Sequence, residues 1–256
     1  MSENAGPEVI LLAGLPFGAP LVEQAARRLR SRGWVAEALD LPALGPDPKG
    51  WAAALSARLG DGATLMAQGS ALPLALRVAA DREAAGRPLG ALVLLNGALG
   101  RVDPALVLAA RMARTPGLGR ALLRAPLLLP VLASSLGLRR AVVNPYVMER
   151  DRVVAVTEAW LGTGRPAALL RSHLVELDVQ QDVPAFRDTP VLLLWGDADP
   201  LYPPAVAEAA RLRLGGALHV RIPGGQHLHI EERPWAAADA LHDWAAGERA
   251  TEVPRR

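Results

Sequence analysis

The chain of 256 residues contains no cysteine, which excludes disulfides, thiol nucleophiles and thiolate-held metals. A disulfide-free chain suits a reducing cytosol. Lysine is almost missing too. Lys49 is the single one, so arginine supplies nearly all of the 28 basic residues, and these meet 26 acidic ones for a formal net charge of +2. The alkaline isoelectric point therefore reflects arginine's high pKa rather than a true excess of positive charge. Without a clustered basic face no nucleic-acid partner is expected. The densest basic run, Arg27–Arg32, reads as the solvated face of a helix.

Long apolar runs are scarce. The greasiest stretch, APLLLPVLASSLGL at 125–138, is shorter than the ~20 residues that span a bilayer. Its two prolines also speak against a continuous amphipathic helix, so no stable membrane insertion is expected. The opening MSENAGPE lacks the basic and apolar regions of a secretory leader, and the expected location is cytoplasmic. The five histidines include no i, i+4 helical pair and no H-E-x-x-H, so no metal site is expected. The segment AGLPFGAP at 13–20 is not G-x-G-x-x-G, which argues against a dinucleotide. No cofactor is expected.

What remains is a regular alternation. Short apolar runs at Val9–Ala13, Val35–Leu41, Thr64–Gln68, Ala91–Asn96, Val191–Trp195 and His219–Ile222 predict strands. Helical periods lie near 19–31, 49–58, 71–81, 203–213 and 234–246. Buried runs separated by helices predict an α/β fold: a mostly parallel sheet of about six strands with helices on both faces. Residues 101–187 interrupt the rhythm with leucine- and alanine-rich, Pro- and Gly-broken sequence. They read as a helical cap of three to five helices inserted into a core formed by 1–100 and 188–256. An insertion there would overhang the crevice at the strand ends. A frayed tail is expected from about Glu248.

Residues 65–80, LMAQGSALPLALRVAA, read as strand, tight turn and helix, the setting of a nucleophile elbow. Such a turn needs small residues two positions either side of its centre, because backbones approach closely there. Ala67 and Ala71 meet that need around Gly69. Centring the turn on Ser70 would crowd it with Gln68 and Leu72.

Four segments together resemble the α/β-hydrolase superfamily in order and spacing. AGLPFGAP (13–20) looks like its HGxPG oxyanion loop, with Ala13 in place of histidine. AQGSA (67–71) looks like its G-x-S-x-G elbow, with Gly69 at the serine position. LLLWGDADPLYPP (192–204) is similar to the acid loop and places the acid at Asp199. IPGGQHLHIEERP (222–234) looks like the loop carrying the catalytic histidine, His227. The resemblance implies the α/β-hydrolase fold and oxyanion donors at the N–H groups of Leu15 and Ser70.

Asp199 and His227 each follow an apolar strand, so both would leave one edge of the sheet. A carboxylate on one imidazole nitrogen fixes the tautomer and leaves the other nitrogen as a base. The blander alternative makes Asp199 a loop cap and His227 a turn residue. Glycine at 69 removes the nucleophile and the acyl-enzyme, but keeps the turn and the backbone donors. The reading is an enzyme acting on a small apolar carbonyl or ester-like compound through a His–Asp dyad, by lyase, isomerase, cyclase or water-activating chemistry. The alternatives are an ordinary serine esterase with displaced nucleophile Ser70, and an inactive ligand-binding member. Gln68 and Asn96 are pocket candidates, with Asn96 equally able to hold a loop. His219 and His229 read as structural and His173 as a surface residue. The leucines of Ala121–Leu138, ringed by Arg120, Arg124, Arg139 and Arg140, either line an apolar pocket or pack the cap onto the sheet.

Overall fold

The computed structural model describes residues 6–97, 99, 117, 121, 124–169 and 185–247. Six strands, β1 (Glu8–Ala13), β2 (Val35–Leu39), β3 (Thr64–Gly69), β4 (Ala91–Gly97), β5 (Val191–Gly196) and β6 (Leu218–Ile222), form one sheet in the order β2-β1-β3-β4-β5-β6. Every pairing is parallel. β3, β4 and β5 are buried along their whole length. Parallel strands covered on both faces have no solvated side to accommodate polar alternation, and the sequence of these three is accordingly an almost unbroken apolar run.

The two faces separate by residue parity. Ile10 and Leu12, Leu65 and Ala67, and Leu193 and Trp195 pack with α2 (Trp51–Arg58), α3 (Leu72–Ala84) and, through Ala207 and Ala210, the helix after β5. Val9 and Leu11, Val93 and Leu95, and Leu192 and Leu194 pack with α1 (Glu23–Ser31) on the opposite face, together with the alanines of the last helix. Between β4 and β5 the described residues include α4 (Ala125–Leu132) and α5 (Arg150–Leu161), then α6 (Pro204–Arg213) follows β5. α7 (His229–Glu232) and α8 (Pro234–Ala245) follow β6. Pro73 and Pro234 sit in the first turns of α3 and α8, where a missing N–H costs nothing.

The strand expected over Val35–Leu41 stops at Leu39, because Pro42 opens a 3-10 turn over Leu41–Leu44. Much of the expected cap, including His173 and Arg120, lies outside the described residues, as does the tail from Glu248. Among the described residues no helix is long and apolar enough to cross a membrane.

The strand order places the site. β1 is flanked by β2 on one side and β3 on the other, so the connections after β1 and β3 diverge and open a crevice between them. The 13–20 loop and the turn at Gly69 meet at that point.

Candidate active site

β3 ends in a tight turn. Gly69 has φ +65, a region that costs an L-residue roughly 1–2 kcal/mol and glycine nothing. α3 begins three residues later. A Cβ placed on Gly69 would have a single heavy atom within 4 Å beyond its chain neighbours, His227 Nε2 at 3.8 Å. The small residues around it are required by contact. A Cβ on Gly14 would meet the backbone nitrogens of Ser70 and Ala71 at 2.4 and 2.5 Å, and one on Gly97 would meet the Gly69 carbonyl oxygen at 2.2 Å. Gly14 N–H donates to the Gln68 carbonyl (3.0 Å), so the 13–20 loop lies against the first turn of α3. Leu15 is buried in that loop, and its carbonyl accepts the Ser70 Oγ–H at 2.9 Å.

Asp199 and His227, 28 residues apart, come together beside this turn. Their side chains are buried, and His227 Nδ1 lies 3.1 Å from Asp199 Oδ2. An ionised carboxylate only accepts, so Nδ1 carries the proton and Nε2 presents its lone pair. Three further donors saturate the carboxylate: Leu201 N–H (2.7 Å) and Tyr202 N–H (3.1 Å) on Oδ1, and Asn96 Nδ2 (2.5 Å) on Oδ2. Burial pushes the Asp199 pKa up, but the His227 hydrogen bond and charge, Asn96 and the Tyr202 N–H outweigh it, and the carboxyl titrates below its ordinary value.

Asn96 is fully buried and holds φ +26, the one non-glycine residue with positive φ among those described. Asparagine tolerates that region better than most side chains. The β3–β4 register shifts here, Gln68 pairing with Leu95 and Gly69 with Gly97. This bulge turns Asn96 toward the neighbouring strand end, where its Oδ1 accepts the Gly196 N–H (2.9 Å). Of the two roles considered for Asn96, its amide contacts are those of a residue that holds a loop.

Gln68 is buried with its Nε2 3.4 Å from His227 Nε2 and 3.5 Å from the His227 carbonyl. Its Oε1 is buried with no hydrogen-bond partner. The orientation follows from charge: facing a neutral imidazole lone pair the amide must present N–H, and facing an imidazolium it would present Oε1.

His229 is wholly buried with Nδ1 3.2 Å from the Gln226 carbonyl and Nε2 without a partner. Burial lowers its pKa to about 4, so it is neutral and structural in position. His219 lies 3.7 Å from Glu208, away from this cluster. Sequence reasoning had not marked Tyr202, whose ring centroid is 5.5 Å from that of His227. The YPP that closes the acid-loop segment is its only signal. Among the described residues no group of His, Asp and Glu could hold a metal ion.

The sheet order, the turn after β3 and the acid and histidine loops after β5 and β6 define the α/β-hydrolase fold. Solved structures agree. An esterase from Thermogutta terrifontis superposes with TM-score 0.73 at 19% identity, covering 96% of this chain and 92% of its own. An epoxide hydrolase from Vigna radiata gives 0.70 at 20%, covering 94% and 92%. A haloalkane dehalogenase variant from Agrobacterium tumefaciens gives 0.69 at 19%, covering 95% and 91%. Likeness at these identities is likeness of fold. No protein-family profile matches the chain, and no curated protein matches it in sequence.

Proposed function

We propose that this chain is an α/β-hydrolase-fold enzyme that works without a covalent nucleophile on a small apolar carbonyl or ester-like compound. The observation that carries the reading is the vector at Gly69. A Cβ at that position would lie 3.8 Å from His227 Nε2, the nitrogen that Asp199 leaves free to act as a base, close enough for a hydroxyl carried on it to reach hydrogen-bond distance. Glycine holds the turn but offers no atom to attack with. Ser70 is the poorer candidate for a nucleophile, since its hydroxyl proton is given to the Leu15 carbonyl.

In this reading the N–H groups of Leu15 and Ser70 receive a carbonyl oxygen as negative charge grows on it. His227 Nε2 removes a proton from the adjacent carbon. The C–H electron pair moves into the new C=C bond, the carbonyl π pair moves to oxygen, and the imidazolium returns the proton in the reverse step. A water held in the space beside Gly69 would be activated by the same nitrogen. Gln68 N–H covers the Nε2 lone pair in the resting site and must swing away before the base acts, after which its Oε1 can accept from the imidazolium. General-base catalysis of this kind is worth ~10²–10⁴ in rate, and each oxyanion donor about 10²–10³.

The test is deuterium exchange next to the carbonyl of small apolar ketones in D₂O, followed by proton NMR, alongside turnover of short-chain p-nitrophenyl esters. Exchange or turnover above buffer, lost ~10²–10⁴-fold in His227→Ala, supports the proposal. Wild type and His227→Ala indistinguishable on every compound would leave a ligand-binding protein and defeat it.

A further inference from the structure

α4 has no polar face. Its eight residues, APLLLPVL, are apolar all round, although a helix at the surface of a water-soluble domain ordinarily turns charge outward. Leu128, Leu129 and Leu132 face inward against the two cores. Leu127 and Val131, one turn apart, are more than half exposed, and beyond the helix Leu136 is 81% and Tyr146 74% exposed, with Val143 between them at 52%. These five are among only seven large apolar side chains more than half exposed across the described residues. All five lie between residues 127 and 146, and apolar side chains exposed together along one segment mark a contact surface.

Its charge names the occupant. From residue 104 to 148 the sequence has no Asp or Glu and six arginines: Arg111, Arg114, Arg120, Arg124, Arg139 and Arg140. That leaves 22 basic residues against all 26 acidic ones in the rest of the chain, so the excess of positive charge is confined to this apolar segment. Among the described residues no carboxylate pairs with Arg139 or Arg140, and Arg140 is exposed and Arg139 partly exposed. Exposed apolar side chains beside Arg139 and Arg140 match an anionic bilayer surface, into whose interface the apolar groups insert while the cations meet lipid phosphates. A second copy would bring the same excess of positive charge to both sides of the contact.

The surface also adjoins the candidate site. Leu228 N–H donates to the Ala141 carbonyl (2.9 Å), and the Glu232 carboxylate accepts the N–H groups of Val143 (3.0 Å) and Asn144 (2.7 Å). Val143 therefore stands beside the segment that follows His227. We propose that residues 124–146 dock this protein reversibly on an anionic lipid bilayer.

The experiment is co-sedimentation of the full chain with phosphatidylcholine vesicles, with and without phosphatidylglycerol. Binding is expected only to the anionic vesicles and is expected to weaken as salt rises. Arg139→Gln with Arg140→Gln should lower partitioning about thirty-fold, taking ~1 kcal/mol for each arginine at the lipid surface. Leu127→Ser, Val131→Ser and Leu136→Ser combined should lower it by about tenfold or more. Val35→Ser, an exposed apolar side chain on β2, should leave it unchanged. The proposal falls if the wild-type chain ignores anionic vesicles at low salt, if both vesicle types bind alike, or if both variant sets bind as wild type does. It falls equally if light scattering finds a dimer that Leu136→Ser dissociates, since the face then belongs to a second copy.

Discussion

Asn96→Ala removes two buried hydrogen bonds at once and tests how the acid loop is held. The bond to Asp199 engages a charged acceptor and is worth ~1.5–3 kcal/mol. The bond from Gly196 N–H, once lost, leaves a buried donor unsatisfied at ~1–3 kcal/mol. Alanine gains nothing back from the backbone, because φ +26 remains unfavourable to any Cβ. The expected loss is about 3–5 kcal/mol, on the order of 10 °C in Tm for a chain of this size. Asn96→Gly loses the same bonds but relieves the backbone, and should be about 1 kcal/mol more stable than the alanine variant after its own unfolded-state entropy is set against the gain. Asn96 also helps keep Asp199 below its ordinary pKa, so both variants should shift the acid limb of stability to higher pH. Urea denaturation followed by circular dichroism at neutral and acid pH measures all three effects. An alanine variant within 1 kcal/mol of wild type, or a glycine variant less stable than alanine, would refute the reasoning.

Gly69→Ser should fold with a loss of about 1–2 kcal/mol, the cost of a side chain at positive φ, because no atom crowds its Cβ; loss of folding in differential scanning calorimetry would contradict this. His229, held neutral with a pKa near 4, binds its proton more readily when unfolded. Stability should thus be full above the ordinary histidine pKa and fall by about 3 kcal/mol as pH drops toward 4. His229→Leu should flatten that slope in urea titrations, and an unchanged slope would count against it. Arg152 pairs at 2.6 Å with Glu231, whose side chain is nearly buried. Arg152→Met should cost about 2–4 kcal/mol by stranding that carboxylate, and Glu231→Gln clearly less; equal losses would show that packing rather than charge holds α5 to α7.

The fold was legible because a parallel sheet buried on both faces writes itself as apolar runs. β3, β4 and β5 could be located within a residue or two, and Gly69, Asp199 and His227 are marked by the resemblance of their segments to the elbow, acid and histidine loops of the α/β-hydrolase superfamily. The hydrogen bonds that assemble the site were less visible. Asn96 reads as an ordinary strand end until the bulge at the Gly69–Gly97 pairing turns its amide onto Asp199 and Gly196. The Arg152–Glu231 pair joins residues 79 apart, and no local period announces it. The end of β2 was misplaced by two residues because Leu41 continues the apolar pattern while Pro42 breaks the backbone ladder. Gln68 was singled out for its position, but its approach to His227 Nε2 depends on the whole β3–β6 arrangement.

The central claim is that Gly69 stands where a nucleophile would, and that Ser70 does not replace it. Intact mass after incubation with a fluorophosphonate, with peptide mapping, tests this most directly when wild type and Gly69→Ser are run side by side. The account predicts no adduct on the wild-type chain and an adduct at position 69 in the variant. A stoichiometric adduct on Ser70 of the wild-type protein would contradict it and make this a serine hydrolase with a displaced nucleophile.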